Sequence, residues 1–178
     1  WIIDPLDGTT NFLHGFPVFC VSVAVTHKGR LEHGVVYDPL RQEMFTASRG
    51  QGAQLEGHKI RVSGRVDLER ALIGTGFPYR DSNEAFDPYI KMLVKAMENT
   101  TGVRRTGAAA LDLCYVAAGR LDAFWETGLK PWDLAAGTLI IRESGGLISG
   151  LDGSEDFMDS GHVLCGSSKI YTGLAKLF

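Results

Sequence analysis

Partway along this chain the spacing of apolar residues changes period, and that change constrains the fold more than any single residue does. In the first third, apolar and polar positions alternate in short runs broken by glycine and Asp-Pro turns. Segments 20–25, 31–37 and 43–47 read as strands, 54–55 and 60–62 as shorter strands around Gly57, and 71–74 as another. Strands this close together predict an antiparallel meander. Further on the period becomes helical. Ile90, Leu93, Val94 and Met97 recur at i, i+3, i+4 and i+7, and so read as one buried helical face. Leu111, Cys114, Tyr115 and Ala118 form a second such set, and Trp132, Ala136, Leu139 and Ile140 a third. Short strands at 121–125, 147–149 and 163–165 alternate with these helices, and a last helix is expected over 169–177. Strands first and α/β alternation afterwards predict an α+β chain, a layered sandwich of two sheets with flanking helices. The expected division is an antiparallel-sheet lobe over 1–65 and an α/β lobe over 66–178, with the seam between 63 and 86.

Composition narrows the function classes. The 178 residues are 44% hydrophobic and 22% charged, a globular balance with enough chain for one sizeable core. No apolar run approaches the roughly 20 residues that a membrane helix needs, and no secretory leader pattern is present. The net charge of −3 argues against a nucleic-acid partner, which selects for a basic stripe. Cys20, Cys114 and Cys165 are far apart in apolar surroundings, which fits free thiols in a reducing, cytoplasmic compartment. The opening Trp1-Ile2-Ile3 lies inside an apolar strand pattern, so the chain reads as a fragment with its upstream part missing.

The chemistry concentrates in Asp4-Pro5-Leu6-Asp7-Gly8-Thr9-Thr10-Asn11. In a continuing strand, residues three apart point to opposite faces. Pro5 is expected to end the strand at Asp4 and start a turn that brings the Asp4 and Asp7 carboxylates together beside the Leu6 carbonyl. Two carboxylates and a carbonyl repel one another unless a cation joins them, and all-oxygen ligation selects a hard divalent ion such as Mg²⁺. Gly8 and Thr9 then offer backbone N–H groups to a phosphate at a helix start. The Asp-x-Asp-Gly-Thr pattern of phosphatases that phosphorylate an aspartate is not met, because the two aspartates here are three apart and proline follows the first.

A second acidic stretch is Glu126-Thr127-Gly128-Leu129-Lys130-Pro131-Trp132-Asp133. Pro131 suits the first position of a helix, and Asp133 in its first turn is a candidate third ligand. Glu126, at a strand end, reads more simply as a solvated edge residue. Gly107, Ala108 and Ala109 open another helix, where small residues permit close approach of a ligand. Arg104 and Arg105 before them attract anions or are simply solvated. The five histidines show no metal-ligand spacing.

The segment Trp1–Phe12 resembles the first signature of the inositol monophosphatase family. Trp132-Asp133, Ala135-Ala136-Gly137 and Glu143-Ser144-Gly145-Gly146 resemble the second. Tyr37-Asp38-Pro39, Arg49-Gly50-Gln51-Gly52-Ala53 and Gly107-Ala108-Ala109-Ala110-Leu111-Asp112 are similar to its bacterial, SuhB-type members. The resemblance implies a Mg²⁺-dependent phosphomonoesterase, commonly dimeric and sensitive to Li⁺. It implies that Asp4, the Leu6 carbonyl, Asp7 and Asp133 bind Mg²⁺, with Asp4 bridging two ions. It implies that Gly8 and Thr9 hold the phosphate, that Asp4, Asp7 and Thr9 serve catalysis with Thr9 orienting water, and that Gly107, Ala108, Ala109 and Glu126 contact the alcohol of an inositol phosphate. It implies too that Leu6, Asp7 and Asp133 border the same substrate.

The family also uses a glutamate and helices upstream of the first signature, and neither has a counterpart here. The isolated chain is therefore expected to be weakly active or inactive. Other phosphate esters that fit the same chemistry are fructose 1,6-bisphosphate, a 3′-phosphonucleotide and histidinol phosphate. A non-catalytic interaction module on the same fold is the alternative of a different class.

Overall fold

The alternating segments fold as one six-stranded sheet. In the computed structural model, which describes residues 1–77 and 83–178, β1 (Ile2–Asp7), β2 (Cys20–His27), β3 (Arg30–Asp38), β4 (Glu43–Ser48), β5 (Gly52–Leu55) and β6 (His58–Lys59) lie side by side in chain order. All five pairings are antiparallel. The strand expected at 60–62 does not form. There the Ile60 N–H donates to the Ala53 carbonyl and the Val62 N–H to the Ser144 carbonyl, so the chain leaves the sheet edge and crosses to the second half.

Cys20, Ala24, Val36, Phe45 and Ala47 point inward and are buried. The outer side is also apolar. Ile3, Val23 and Val35 pair in one row and Val21, Tyr37 and Met44 in the next, with Ile3, Val21, Tyr37 and Met44 exposed. An antiparallel sheet with one solvated face ordinarily carries polar residues there.

The second sheet is mixed, with strand order β10-β11-β9-β7-β8. β7 (Leu72–Thr75) runs parallel to β8 (Gly102–Arg104) and to β9 (Ala123–Glu126), while β11 (Val163–Gly166) is antiparallel to β9 and to β10 (Leu147–Ser149). Between the sheets lie α3 (Ala109–Ala117) and α4 (Pro131–Glu143). On the far side of the second sheet lie α2 (Asn83–Asn99) and α6 (Ser168–Leu177). The result is the expected α+β layering: sheet, helices, sheet, helices. Residues 78–82 of the expected seam lie outside the described residues.

Three helical faces differ from the sequence expectation. α3 buries Leu113, Val116 and Ala117 as well as Leu111 and Cys114, while Tyr115 and Ala118 are only half-buried. α4 buries every residue from 134 to 141 rather than one stripe, because it has a sheet on either side. Trp132, assigned to that stripe, is exposed. On α2 it is Tyr89 and Ala96 that are fully buried, whereas Ile90, Val94 and Met97 are exposed. Tyr89 stacks on Trp125 of β9, with ring centroids 6.2 Å apart, and this aromatic contact decides which side of the helix faces the core.

α4 is seated by two glycines. A Cβ on Gly34 of β3 would stand 2.9 Å from the Ala136 carbonyl oxygen, and one on Gly137 would stand 2.5 Å from the Leu113 side chain of α3. Gly137→Val is expected to destabilise the fold by about 3 kcal/mol through overpacking, read as a lowered thermal midpoint. An unchanged midpoint would mean that the two helices have slack between them.

Candidate functional site

The first element of the site is a bulge, not the proline turn that the sequence suggests. β1 continues through Pro5 to Asp7, which an edge strand tolerates because no neighbour needs the missing N–H. Asp4 pairs with Ser22 but Asp7 with Cys20, so three steps along β1 match two along β2. The extra residue cancels the alternation, and both carboxylates emerge on the face of inward-pointing Ser22 and Cys20. The Leu6 N–H donates to Asp4 Oδ1 at 2.9 Å and holds the bulge.

Gly8 follows with φ +83°, and a Cβ there would stand 2.8 Å from the Val18 carbonyl oxygen. Only glycine satisfies both conditions. The turn leads into the short α1 (Thr9–Leu13), where the Thr9 hydroxyl donates to the Leu6 carbonyl at 2.8 Å.

α3 and α4 bring the remaining groups. Asp7 Oδ2 accepts the Ala110 N–H in the first turn of α3 at 2.8 Å. Asp133 lies in the first turn of α4 behind Pro131, and its Oδ2 accepts the Lys130 N–H at 2.7 Å. One oxygen each of Asp4, Asp7 and Asp133 lies within 4.8 Å of the others. Among the described residues, no lysine or arginine forms an ion pair with any of the three.

Burial pushes the Asp7 carboxyl up to about 7, against the opposing Ala110 N–H, and the Asp133 and Asp4 charges add to the rise. Asp133 is raised by burial first and then by Asp4. Three convergent carboxylates without a cationic partner, beside the Leu6 carbonyl, form a donor set made only of hard oxygens. Such a set fits Mg²⁺, Mn²⁺ or Ca²⁺ and not a soft metal.

These groups line a cavity of about 560 Å³. Leu6, Gly8, Thr9, Gly107, Ala109 and Glu126 line it too. Ala108 does not: it is buried, and its Cβ packs 3.3 Å from where a Gly8 Cβ would stand. Glu126 is not the solvated edge residue expected, because β9 is the central strand of its sheet. Its carboxylate fills the space above Gly76, where a Cβ would come within 1.9 Å of Oε1. Burial, then the neighbouring Asp112 and Asp7, push the Glu126 carboxyl well above the usual range.

Sequence reasoning missed several lining groups. Of the Arg104-Arg105 pair, Arg105 is the one that lines the cavity, with its guanidinium 5.3 Å from the centre of the Phe77 ring. Lys130, Trp132 and Gly76 line it as well. No periodicity marks Lys130 or Gly76, and the helical period of Trp132 assigned it to the core rather than to the cavity. Asn11, in the acidic string but given no role of its own, is 8% exposed and spans two loops.

Two sheets closed on a helical layer, with three carboxylates converging at one polar mouth, define an acidic-pocket α+β protein. The inositol monophosphatase family model matches residues 1–178, and the chain belongs to that family. It is 58% identical over 175 residues to the Nus factor SuhB of Pseudomonas aeruginosa, covering 98% of this chain and 65% of that protein. It is 49% identical over 176 residues to the inositol-1-monophosphatase of Mesorhizobium japonicum, covering 99% of this chain and 66% of that one. The crystal structure of the extragenic suppressor protein suhB from Bartonella henselae superposes with a TM-score of 0.94 at 44% identity, covering 98% of this chain and 68% of that one. The chain thus spans about two thirds of the length of these relatives. Among the described residues, no helix is long and apolar enough to cross a membrane.

Proposed function

We propose that the whole protein hydrolyses a phosphate monoester of a polyol, with inositol 1-phosphate as the preferred substrate and Mg²⁺ as the cofactor. The convergence of Asp4, Asp7 and Asp133 within 4.8 Å carries this reading. The Mesorhizobium relative, an inositol-1-monophosphatase by name, supports the choice of alcohol. Asp4, Asp7, Asp133 and the Leu6 carbonyl would hold the cation. A bound divalent cation supplies Lewis acidity and lowers the pKa of water.

The chain's own groups do the positioning, which accounts for most of the catalysis in phosphoryl transfer. Backbone N–H groups of Gly8 and Thr9 cradle the phosphate oxygens. The Thr9 hydroxyl, with its proton committed to the Leu6 carbonyl, presents lone pairs that accept a hydrogen bond from the attacking water. Gly107, Ala109 and Glu126 face the alcohol. Homodimer formation, Li⁺ sensitivity and a cytoplasmic location belong to the same proposal.

The test is phosphate release by the whole protein, rather than the isolated chain, from inositol 1-phosphate, fructose 1,6-bisphosphate, a 3′-phosphonucleotide and histidinol phosphate, with Mg²⁺ and with a chelator. The expected result is the highest kcat/KM for inositol 1-phosphate and no release after chelation. Release that persists without metal, or no release from any substrate, overturns the proposal.

A second reading is favoured by the Pseudomonas relative, which is named a Nus factor. In that reading the fold acts through its surface, and Asp4→Asn removes hydrolysis while leaving the cellular role intact.

A further inference from the structure

Asn11 joins two parts of the site that come from opposite halves of the chain. It sits on α1, immediately after the Gly8-Thr9 turn, and its single Nδ2 donates to the Val18 carbonyl at 2.8 Å and to the Thr106 carbonyl at 2.9 Å. A side-chain amide nitrogen carries two hydrogens, so one atom can satisfy two carbonyls at once. A carboxylate donates none and a hydroxyl one.

The two carbonyls belong to segments that matter. Val18 backs Gly8, since the Gly8 Cβ position is 2.8 Å from its oxygen. Thr106 leads into Gly107, which has φ +88° and a Cβ position 2.9 Å from Asn11 Nδ2. No side chain other than hydrogen fits between the amide and that loop.

The 106–109 loop has further anchors. The Thr106 hydroxyl donates to Asp112 Oδ2 at 2.7 Å, and the Ala110 N–H donates to Asp7. These hold the loop to α3 and to β1. Asn11 adds a direct hydrogen-bonded tie between the Thr106 carbonyl and the Val18 carbonyl behind Gly8.

We propose that Asn11 is a positioning residue that fixes the distance between the phosphate turn and the alcohol-facing loop, so that the loop meets the hydroxyls of the alcohol. The substrate in this inference rests on the phosphatase reading above; the tie itself does not. A displacement of about 1 Å between two recognition elements is enough to change rate or binding by orders of magnitude. A substrate without hydroxyls to be read, such as p-nitrophenyl phosphate, is indifferent to the loop.

The test uses Asn11→Leu, close in volume but without a donor, and Asn11→Ser, which keeps one donor and is the milder change. With Mg²⁺ present, Asn11→Leu is expected to raise KM for inositol 1-phosphate about tenfold, to leave kcat within about threefold, and to leave both constants for p-nitrophenyl phosphate within about twofold. Asn11→Ser should fall between Asn11→Leu and the parent. Amide hydrogen exchange on the same proteins is expected to speed up at residues 106–110, and not at Gly8 and Thr9, whose turn keeps its Leu6 anchor, nor in β9 or β11.

A parallel loss on both substrates, or an unchanged KM, overturns the proposal, as does unchanged exchange at 106–110. If the parent protein turns over neither substrate, it is the phosphatase reading that fails, and the exchange result still decides the tie.

Discussion

Asp4→Asn is expected to cut Mg²⁺-dependent phosphate release by about a thousandfold, equivalent to about 4 kcal/mol of transition-state stabilisation. Asparagine keeps the shape, and its Oδ1 can still accept the Leu6 N–H that holds the bulge. What it removes is one negative charge from three that lie within 4.8 Å of each other with no ion-paired cation among the described residues. The same change relieves like-charge repulsion, so the metal-free variant should melt at or above the parent's temperature. Loss of activity together with retained or raised stability separates a ligand role from a folding role. Calorimetric titration with Mg²⁺ completes the test, with the expected result a loss of measurable binding. Parent-like affinity in the variant would remove Asp4 from the cation site.

The second large effect is in stability against pH. Asp7 rises from 3.8 to about 7 on folding, chiefly through burial. A carboxyl with a raised folded pKa binds its proton more tightly in the native state than in the unfolded one. Stability is therefore highest below about pH 4 as far as this group is concerned, and it is lost as the pH climbs from there to about 7. The full shift corresponds to about 4 kcal/mol. A divalent cation that binds only the ionised native site restores what ionisation costs. The thermal shift on adding Mg²⁺ should therefore be several degrees at about pH 8 and small at about pH 5. Thermal melts across that range, with Mg²⁺ and with chelator, check both slopes. Equal shifts at the two ends would mean that Asp7 does not exchange a proton for the ion.

The sequence made the layering legible because two different periods follow one another along it. The spacing made the pairing of Asp4 with Asp7 legible, and Asp133, only a candidate by its place at a helix start, joined them through the resemblance of Trp132-Asp133 to the second signature. The device behind the first pair was misread. Pro5 suggested a turn, whereas the chain uses a bulge in an edge strand, and nothing in a single strand reveals the register of its neighbour. The face of α2 was misread for a related reason. Its apolar residues wrap most of the way round, and the choice between Tyr89 and Ile90 was made by Trp125, which lies far away in sequence. Glu126 was misjudged because burial depends on strand order, and strand order is not a local property. Asn11 was in plain view within the acidic string, but its partners Val18 and Thr106 are both set by the fold.

The burial of α4 between the two sheets has a kinetic corollary. The helix touches strands of both sheets as well as α3, and most of those neighbours are distant in sequence. Chains dominated by such distant pairings fold slowly, because each loop must close before its contacts are gained. Asp133 rides on the first turn of this helix and Asp4 on the first strand, so the triad exists only after α4 has docked. Under the proposed function, cation binding by all three carboxylates would therefore report that α4 has docked.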